Sequence, residues 1–155
     1  MDELKIKILN TFIPRAVLWP LTEKAKMSLP YEERMISIKS MPFKIGRESR
    51  VAKTEKGSYI KKRINYKEVD TTPSNDAYIV DKGELLQVSK QHCEIIAKED
   101  KYFIIDKTST NGTLINDVKI GKDAEQFETE LKDGDIIQFG SEGSEFKYQF
   151  LTLEI

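Results

Sequence analysis

Residues 87–117, QVSKQHCEIIAKEDKYFIIDKTSTNGTLIND, decide how the rest of this chain is read. Two short apolar runs, 93–97 and 102–105, read as neighbouring strands. On either side lie Ser89-Lys90-Gln91-His92 and Thr108-Ser109-Thr110-Asn111-Gly112, rich in hydroxyls and amides and poor in core material. The pattern raises a physical question: what do so many hydrogen-bonding side chains hold at the ends of adjacent strands?

Outward from this stretch the same rhythm continues. From Ala16 onward the apolar runs stay at about 4 to 8 residues and are separated by Gly, Pro, Asn, Asp and Ser. Residues 16–21, 35–39, 43–46, 77–80, 92–97, 102–106, 113–115, 136–139 and 146–153 read as strands. Phe146 to Leu151 alternates as a half-buried closing strand does, and Lys132-Asp133-Gly134-Asp135 reads as a turn between strands. The fold class is all-β, an antiparallel sandwich or barrel. Helical spacing is confined to residues 2–13, where Leu4, Ile8 and Phe12 stand four apart, yet Leu4, Ile6 and Ile8 fit a strand equally well. The 155 residues fit one domain over 15–155 behind an N-terminal extension of residues 1–14. That length can bury a core without metal or disulfide staples. One stretch breaks the rhythm. Residues 49–75 read as an insertion between the third and fourth strands, with a turn at Gly57-Ser58, a hairpin over 58–69 and a polar loop at 71–75. Loops of that length are often functional or disordered.

Charge is nearly balanced, with 25 basic and 26 acidic side chains, but it is unevenly placed. Arg50, Lys53, Lys56, Lys61, Lys62, Arg63 and Lys67 crowd one segment against Glu55 alone, which leaves the remainder acidic. Such a segment suits a solvated loop or an electropositive rim for an anionic partner. Nucleic acid is the weakest of these readings, because no stacking platform accompanies the charge. The single cysteine, Cys93, excludes an internal disulfide and fits a reducing, cytoplasmic compartment. Asp2, Glu3, Lys5 and Lys7 leave no apolar signal segment to be expected at the N-terminus. No apolar run approaches the ~18 residues of a membrane span, so no membrane partner is expected.

Few enzymatic chemistries fit. His92 is the only histidine and Cys93 the only thiol. As strand neighbours they point to opposite faces, and a catalytic zinc site needs three protein ligands, so neither metal nor cofactor is expected. Ser89 and His92, three apart, invite a serine-hydrolase reading, but no G-x-S-x-G elbow accompanies them and nothing marks a carboxylate to orient the imidazole. An anion suits the polar pieces better. A phosphate monoester carries about −1.5 to −2 charges at neutral pH. It is met best by an arginine fork, small hydroxyls and backbone N–H groups on a rigid scaffold. Phe43-Lys44-Ile45-Gly46-Arg47 offers such an arginine just past a strand, with Gly46 letting the backbone turn.

Four segments in order, FKIGRES, VSKQHCEI, DKTSTNGTLIND and LKDGDIIQFG, together resemble a forkhead-associated (FHA) domain over residues 43–140. The resemblance implies an antiparallel, SMAD-like β-sandwich that binds phosphothreonine peptides, acts downstream of a Ser/Thr kinase and is not an enzyme. It assigns Arg47 and Ser89 to the phosphate, Lys90 and Thr110 to neighbouring phosphate contacts, and Asn111 to the ligand backbone. His92 resembles the family's buried histidine, which braces the loop carrying Ser89, while Gly46 and Gly112 serve backbone turns. Cys93 and Ile95 then alternate inward as core, and Trp19 and Tyr78 read as core or sheet-face residues. Ser89 and Thr110 also suit turn formers that bond their own backbone, and Lys90 suits a solvated side chain. Lys90 stands where the family more usually has arginine, which keeps charge but loses the bidentate fork. The family often reads the third residue after the phosphothreonine with variable loops, for which Gln87 and residues 141–144 are candidates. The insertion follows Arg47 and is expected at the ligand-binding end, enlarging the site or covering it. Thr71 and Thr72 within it are candidate self-ligands once phosphorylated. The alternative reading is an FHA-like scaffold that binds a protein surface, or oligomerises, without phosphate.

Overall fold

Strands of three to six residues, each apolar on one face, are stable only when stacked into sheets whose apolar faces meet. The computed structural model describes residues 2–30, 33–48, 51–54, 57–60, 75–83 and 85–153, with 51–54 and 57–60 described in their backbone. In chain order the strands are β1 (Ala16–Pro20), β2 (Ile36–Ile38), β3 (Phe43–Arg47), β4 (Val51–Thr54), β5 (Gly57–Ile60), β6 (Ala77–Ile79) and β7 (Cys93–Lys98). They continue with β8 (Lys101–Asp106), β9 (Thr113–Ile115), β10 (Val118–Ile120), β11 (Glu128–Leu131), β12 (Ile136–Phe139) and β13 (Lys147–Thr152). The helices are α1 (Glu3–Phe12) and α2 (Glu23–Met27). One sheet runs β10-β9-β12-β13-β1-β2 and the other β11-β8-β7-β3-β6, while β4 and β5 pair as a separate ribbon. The pairs are antiparallel apart from β3 and β6, which run parallel.

The expected β-sandwich is therefore the fold, and every strand read from the sequence is present. Leu18, Ile38, Ile137, Phe139, Tyr148 and Phe150 of the first sheet meet Ile45, Ile79, Cys93, Ile95, Ile104 and Leu131 of the second, and all are buried. In β13 Tyr148 and Phe150 point inward while Lys147, Gln149 and Leu151 are partly exposed, the alternation visible in the sequence. The buried Tyr148 hydroxyl is satisfied by Ser28 Oγ. Trp19 lies on the outer face of β1 and Tyr78 is half-buried in β6. Lys132 to Asp135 forms the expected turn, closed by Lys132 N–H donating to Asp135 Oδ2 at 2.8 Å with Gly134 at φ +89°.

Other segments differ from the sequence reading for local reasons. Residues 2–13, which fit helix or strand, fold as α1 because Asp2 caps it, its carboxylate accepting the Leu4 N–H at 3.0 Å. No residue of α1 is buried. α2 was not anticipated: its five residues, capped by the Thr22 hydroxyl, are too few to show a helical period. β10 follows a tight Asn116-Asp117 turn with φ of +48° and +68°, a left-handed pair suited to a two-residue hairpin. Only Ile120 of that strand is buried, so no alternation marks it. β11 likewise buries Leu131 alone behind Glu128, Thr129 and Glu130. The expected turn at Gly57-Ser58 is also corrected. Both residues open β5, opposite Thr54 and Lys53, so cross-strand pairing with β4 overrides their turn preference. The rest of the expected 58–69 hairpin lies outside the described residues, as do Arg50, Lys56, Lys61, Lys62, Arg63, Lys67, Thr71 and Thr72.

Register brings three segments to one end of the second sheet. Ile45 of β3 faces Cys93 of β7, and Cys93 faces Asp106 of β8. Arg47 at the exit of β3, residues 81–92 before β7 and residues 107–112 after β8 therefore emerge side by side. Ile104→Ala, at a fully buried position, is expected to lower the unfolding free energy by about 2–5 kcal/mol. Val118→Ala, on the exposed side of β10, should change it by less than about 0.5 kcal/mol, and urea denaturation checks both.

Candidate functional site

Three loops of polar residues hold one shape only if buried groups fix their backbones, and three side chains do this. The first is His92, fully buried, whose Nδ1 accepts the backbone N–H of Ser89 at 3.0 Å. Because that N–H can only donate, Nδ1 carries no proton and the tautomer is Nε2–H. Nε2 lies 3.0 Å from both the Gly112 carbonyl and Thr113 Oγ1, so one imidazole ties the Ser89 loop to the Asn111 loop. Phe139 meets the ring edge-on, with centroids 5.2 Å apart. The second anchor is Asp106, also buried. Its carboxylate accepts from Ser109 N at 2.8 Å, Ser109 Oγ at 2.6 Å and Thr113 Oγ1 at 2.7 Å. Ser109 Oγ in turn accepts the Gly112 N–H at 3.0 Å, and Gly112 adopts φ +80°. Asp81 is the third. It accepts from Gly83 N, Gln87 N and Val88 N, at 3.2, 2.7 and 3.1 Å, and so shapes the loop that leads to Ser89.

Burial holds the His92 imidazole down to a pKa of about 4, against a smaller opposing pull from the Asp106 charge and the Gly112 carbonyl. Its Nε2 stands 4.0 Å from Asp106 Oδ2, beyond hydrogen-bond reach, and the neutral ring forms no ion pair there. Burial, followed by the charges of Asp106 and Glu94, pushes the neighbouring Cys93 thiol well up, which makes it an inert core residue.

On this base the sequence-derived candidates come together. Arg47 N–H donates to the Ser89 carbonyl at 2.9 Å, and its Nη1 donates to the Val88 carbonyl at 3.2 Å. A guanidinium has five N–H groups, so one such bond orients the fork without exhausting it. Ser89 Oγ accepts the Thr110 N–H at 2.9 Å, while its own proton, among the described residues, is directed to Thr110 Oγ1 at 3.4 Å, a weak bond that an anion would outcompete. Asn111 Nδ2 donates to the Leu86 carbonyl at 2.7 Å, which aims its carboxamide. Arg47, Ser89, Thr110 and Asn111 thus share one hydrogen-bonded rim. Lys90 leaves its side chain exposed, and its carbonyl is held by Asn75 Nδ2 at 2.8 Å. A Cβ at Gly46 would stand 1.9 Å from that carbonyl oxygen, so only glycine lets β3 pass so close to the Ser89 loop.

The pair required for a serine hydrolase is not formed, because His92 Nδ1 meets the backbone N–H of Ser89 and Nε2 faces away toward Gly112. Among the described residues no group of three or more His, Cys, Asp or Glu is arranged to hold a metal. Asp81, Asp106, Asn75 and Ser109 escaped the sequence reading. The signal for the first two was present in part: each is an acidic residue just past an apolar run, and Asp106 also precedes the Thr-, Ser- and Gly-rich stretch 108–113.

The FHA domain family model matches residues 43–140. β1, β2 and β13 fall outside that range and pair within the first sheet. Among solved structures, full-length yeast Pml1p has 18% identity over 99% of this chain and 94% of its own, at a TM-score of 0.55. The FHA domain of an Arabidopsis thaliana hypothetical protein has 19% identity over 92% of this chain and 87% of its own, at 0.51. Mycobacterium tuberculosis EmbR in complex with a low affinity phosphopeptide has 18% identity over 95% of this chain and 28% of its own, at 0.50. At these identities the likeness is one of fold. No curated protein sequence matches the chain.

The His92 brace has a pH signature. Above about pH 6.5 the imidazole is neutral in folded and unfolded chains alike; below it the unfolded chain takes up a proton that the folded chain, at about 4, refuses. Stability from this group is therefore full above 6.5 and is lost as pH falls toward 4. The expected loss is about 2 kcal/mol between pH 7 and pH 5, read by urea denaturation. His92→Gln should start from a lower plateau and show a flatter slope across the same window.

Proposed function

The chain belongs to the FHA domain family, and we propose that it is a phosphothreonine-dependent peptide-binding module acting downstream of a Ser/Thr kinase. FHA domains are binding modules, and the observation that carries the reading here is the shared rim of Arg47, Ser89, Thr110 and Asn111 on a rigid buried base. In this reading Arg47 supplies the fork to the phosphate and Ser89 donates its loosely held proton. Thr110 and Lys90 complete the electropositive contact, and Asn111 holds the ligand backbone. Gly46, His92 and Gly112 keep the loops in register without touching the ligand. The phosphopeptide bound by EmbR is consistent support from a protein of the same fold. We place the module in the cytoplasm, which the lone buried Cys93 suits.

The arrangement makes energetic sense. Loops already tied by His92, Asp106 and Asp81 have little conformational freedom left to lose when an anion arrives. Charge-assisted hydrogen bonds contribute roughly 1.5–3 kcal/mol each, and two or three of them bring a short peptide to about micromolar affinity.

Isothermal titration calorimetry should show a phosphothreonine peptide binding at least about 50-fold better than its unphosphorylated twin. Arg47→Ala is expected to abolish that binding while the melting temperature moves little, because the residue is half-buried at a strand exit outside the core. Equal affinity for the two peptides would return the phosphate-independent scaffold reading.

A further inference from the structure

A carboxylate inside a protein is destabilising unless donors surround it, and Asp81 is only 5% exposed. It stands two residues past β6 on fixed backbone. The carbonyl of the fully buried Ile79 accepts from Glu48 N at 2.8 Å, and Val80 N donates to the Ser28 carbonyl at 2.8 Å. From there the carboxylate gathers the backbone N–H groups of Gly83, Gln87 and Val88.

One of these bonds leads straight to the rim. The Gln87 N–H and the Leu86 carbonyl belong to the same planar peptide unit. Its N–H donates to Asp81 Oδ2 at 2.7 Å, and its carbonyl accepts from Asn111 Nδ2 at 2.7 Å. Both are shorter than the ~2.9–3.0 Å of an ordinary N–H···O bond. Asp81 and Asn111 are therefore joined through a single rigid amide. A charged acceptor on the N–H also makes the carbonyl a better acceptor, because bonds in a chain polarise one another. The unit is pinned sideways as well, since Gln87 Oε1 accepts from Ser141 N and Ser141 Oγ at 2.9 and 3.1 Å.

For Asn111 the consequence is specific. Its loop fixes its backbone, with Gly112 N–H held by Ser109 Oγ at 3.0 Å, but its side chain is partly exposed and turns about two torsions. The Leu86 carbonyl can only accept, so Nδ2 faces it, and Oδ1 and the second N–H are turned elsewhere. Leu86 is exposed, so water competes at that end of the amide, whereas the Asp81 end is buried. Arg47 is served by a different unit: the Val88 carbonyl that accepts its Nη1 shares a plane with the Ser89 N–H, which His92 holds.

We propose, resting on the phosphate reading above, that Asp81 is a positioning residue for Asn111. Through the 86–87 peptide it presets the carboxamide that holds the ligand backbone, and so contributes affinity without touching the ligand. Each grip then has its own buried anchor, His92 behind the phosphate side and Asp81 behind the backbone side.

The test is a double-mutant cycle read by isothermal titration calorimetry, with a phosphothreonine peptide selected on the wild type from a degenerate library. Asp81→Asn keeps the shape and one acceptor oxygen, and Asp81→Ser is a smaller second variant. Spectra of the 15N-labelled chains check that the core strands are unmoved, and one folded variant suffices. Either is expected to weaken binding by about 5- to 10-fold. In an Asn111→Ala background the same change should weaken it by less than about twofold, because the carboxamide it serves is gone. In a Lys90→Ala background the full effect should persist. The free protein has a matching signature: the Asn111 side-chain N–H signals should move in the Asp81 variants and stay in place in Lys90→Ala. A loss of equal size with and without Asn111 would mean general loosening of the loop. That result, or an affinity or Asn111 signal that Asp81 substitution leaves unchanged, would overturn the inference and leave the phosphate reading intact. A wild type that binds no phosphothreonine peptide would overturn both.

Discussion

The site depends on one buried, neutral imidazole. His92 accepts from Ser89 on one nitrogen and donates toward Gly112 on the other, so two loops separated by two strands are held by a single planar ring. Protonating Nδ1 would set its N–H against that of Ser89, and the interior penalises a charge there, which is why the group stays neutral to about pH 4. A ring lost from this position would leave the Ser89 N–H without its partner, at a cost of about 1–3 kcal/mol, while the Gly112 carbonyl would keep the Gly140 N–H at 2.9 Å. Asp106 works beside it in the complementary way, as an acceptor for donors that the loop turns inward. The exposed rim can be polar and still rigid because its buried polar base is satisfied.

The division of labour also explains where glycine is required. β3 passes the Ser89 loop at a distance that admits no Cβ at Gly46, and this closeness lets Arg47 donate from both backbone and side chain to residues 88 and 89. Gly140 serves the same end from the first sheet: a Cβ there would lie 2.4 Å from Gln87 Oε1. The loop before β7 is therefore pressed from both sides, and its conformation follows from sheet packing more than from its own turn propensities.

Much of this was legible in the sequence because the relevant signals are local. The alternation of β13, the apolar runs of β7 and β8, and the order of FKIGR, SKQH and STNG each fall within a few residues. The all-β fold could be read from the first two, and the rim residues from the family resemblance that the three motifs carry. What stayed hidden depends on contacts between segments. β10 and β11 are strands because of their partners, since each buries one residue. α1 is a helix by virtue of its Asp2 cap, while its apolar spacing suits either state. The anchoring roles of Asp81 and Asp106 appear only once the loops are folded against them, and the close approach at Gly46 appears only once β3 and the Ser89 loop are adjacent.

The central claim is that a phosphate is read at the braced end of the second sheet. Nuclear magnetic resonance of the 15N-labelled chain, titrated with a phosphothreonine peptide, tests it most directly. The account predicts the largest shifts at the Arg47 side chain and at the backbone N–H groups of Ser89, Lys90, Thr110 and Asn111, with the core strands unmoved and the unphosphorylated peptide silent. Shifts concentrated on α1 or on the outer face of the first sheet, or produced equally by both peptides, would contradict it.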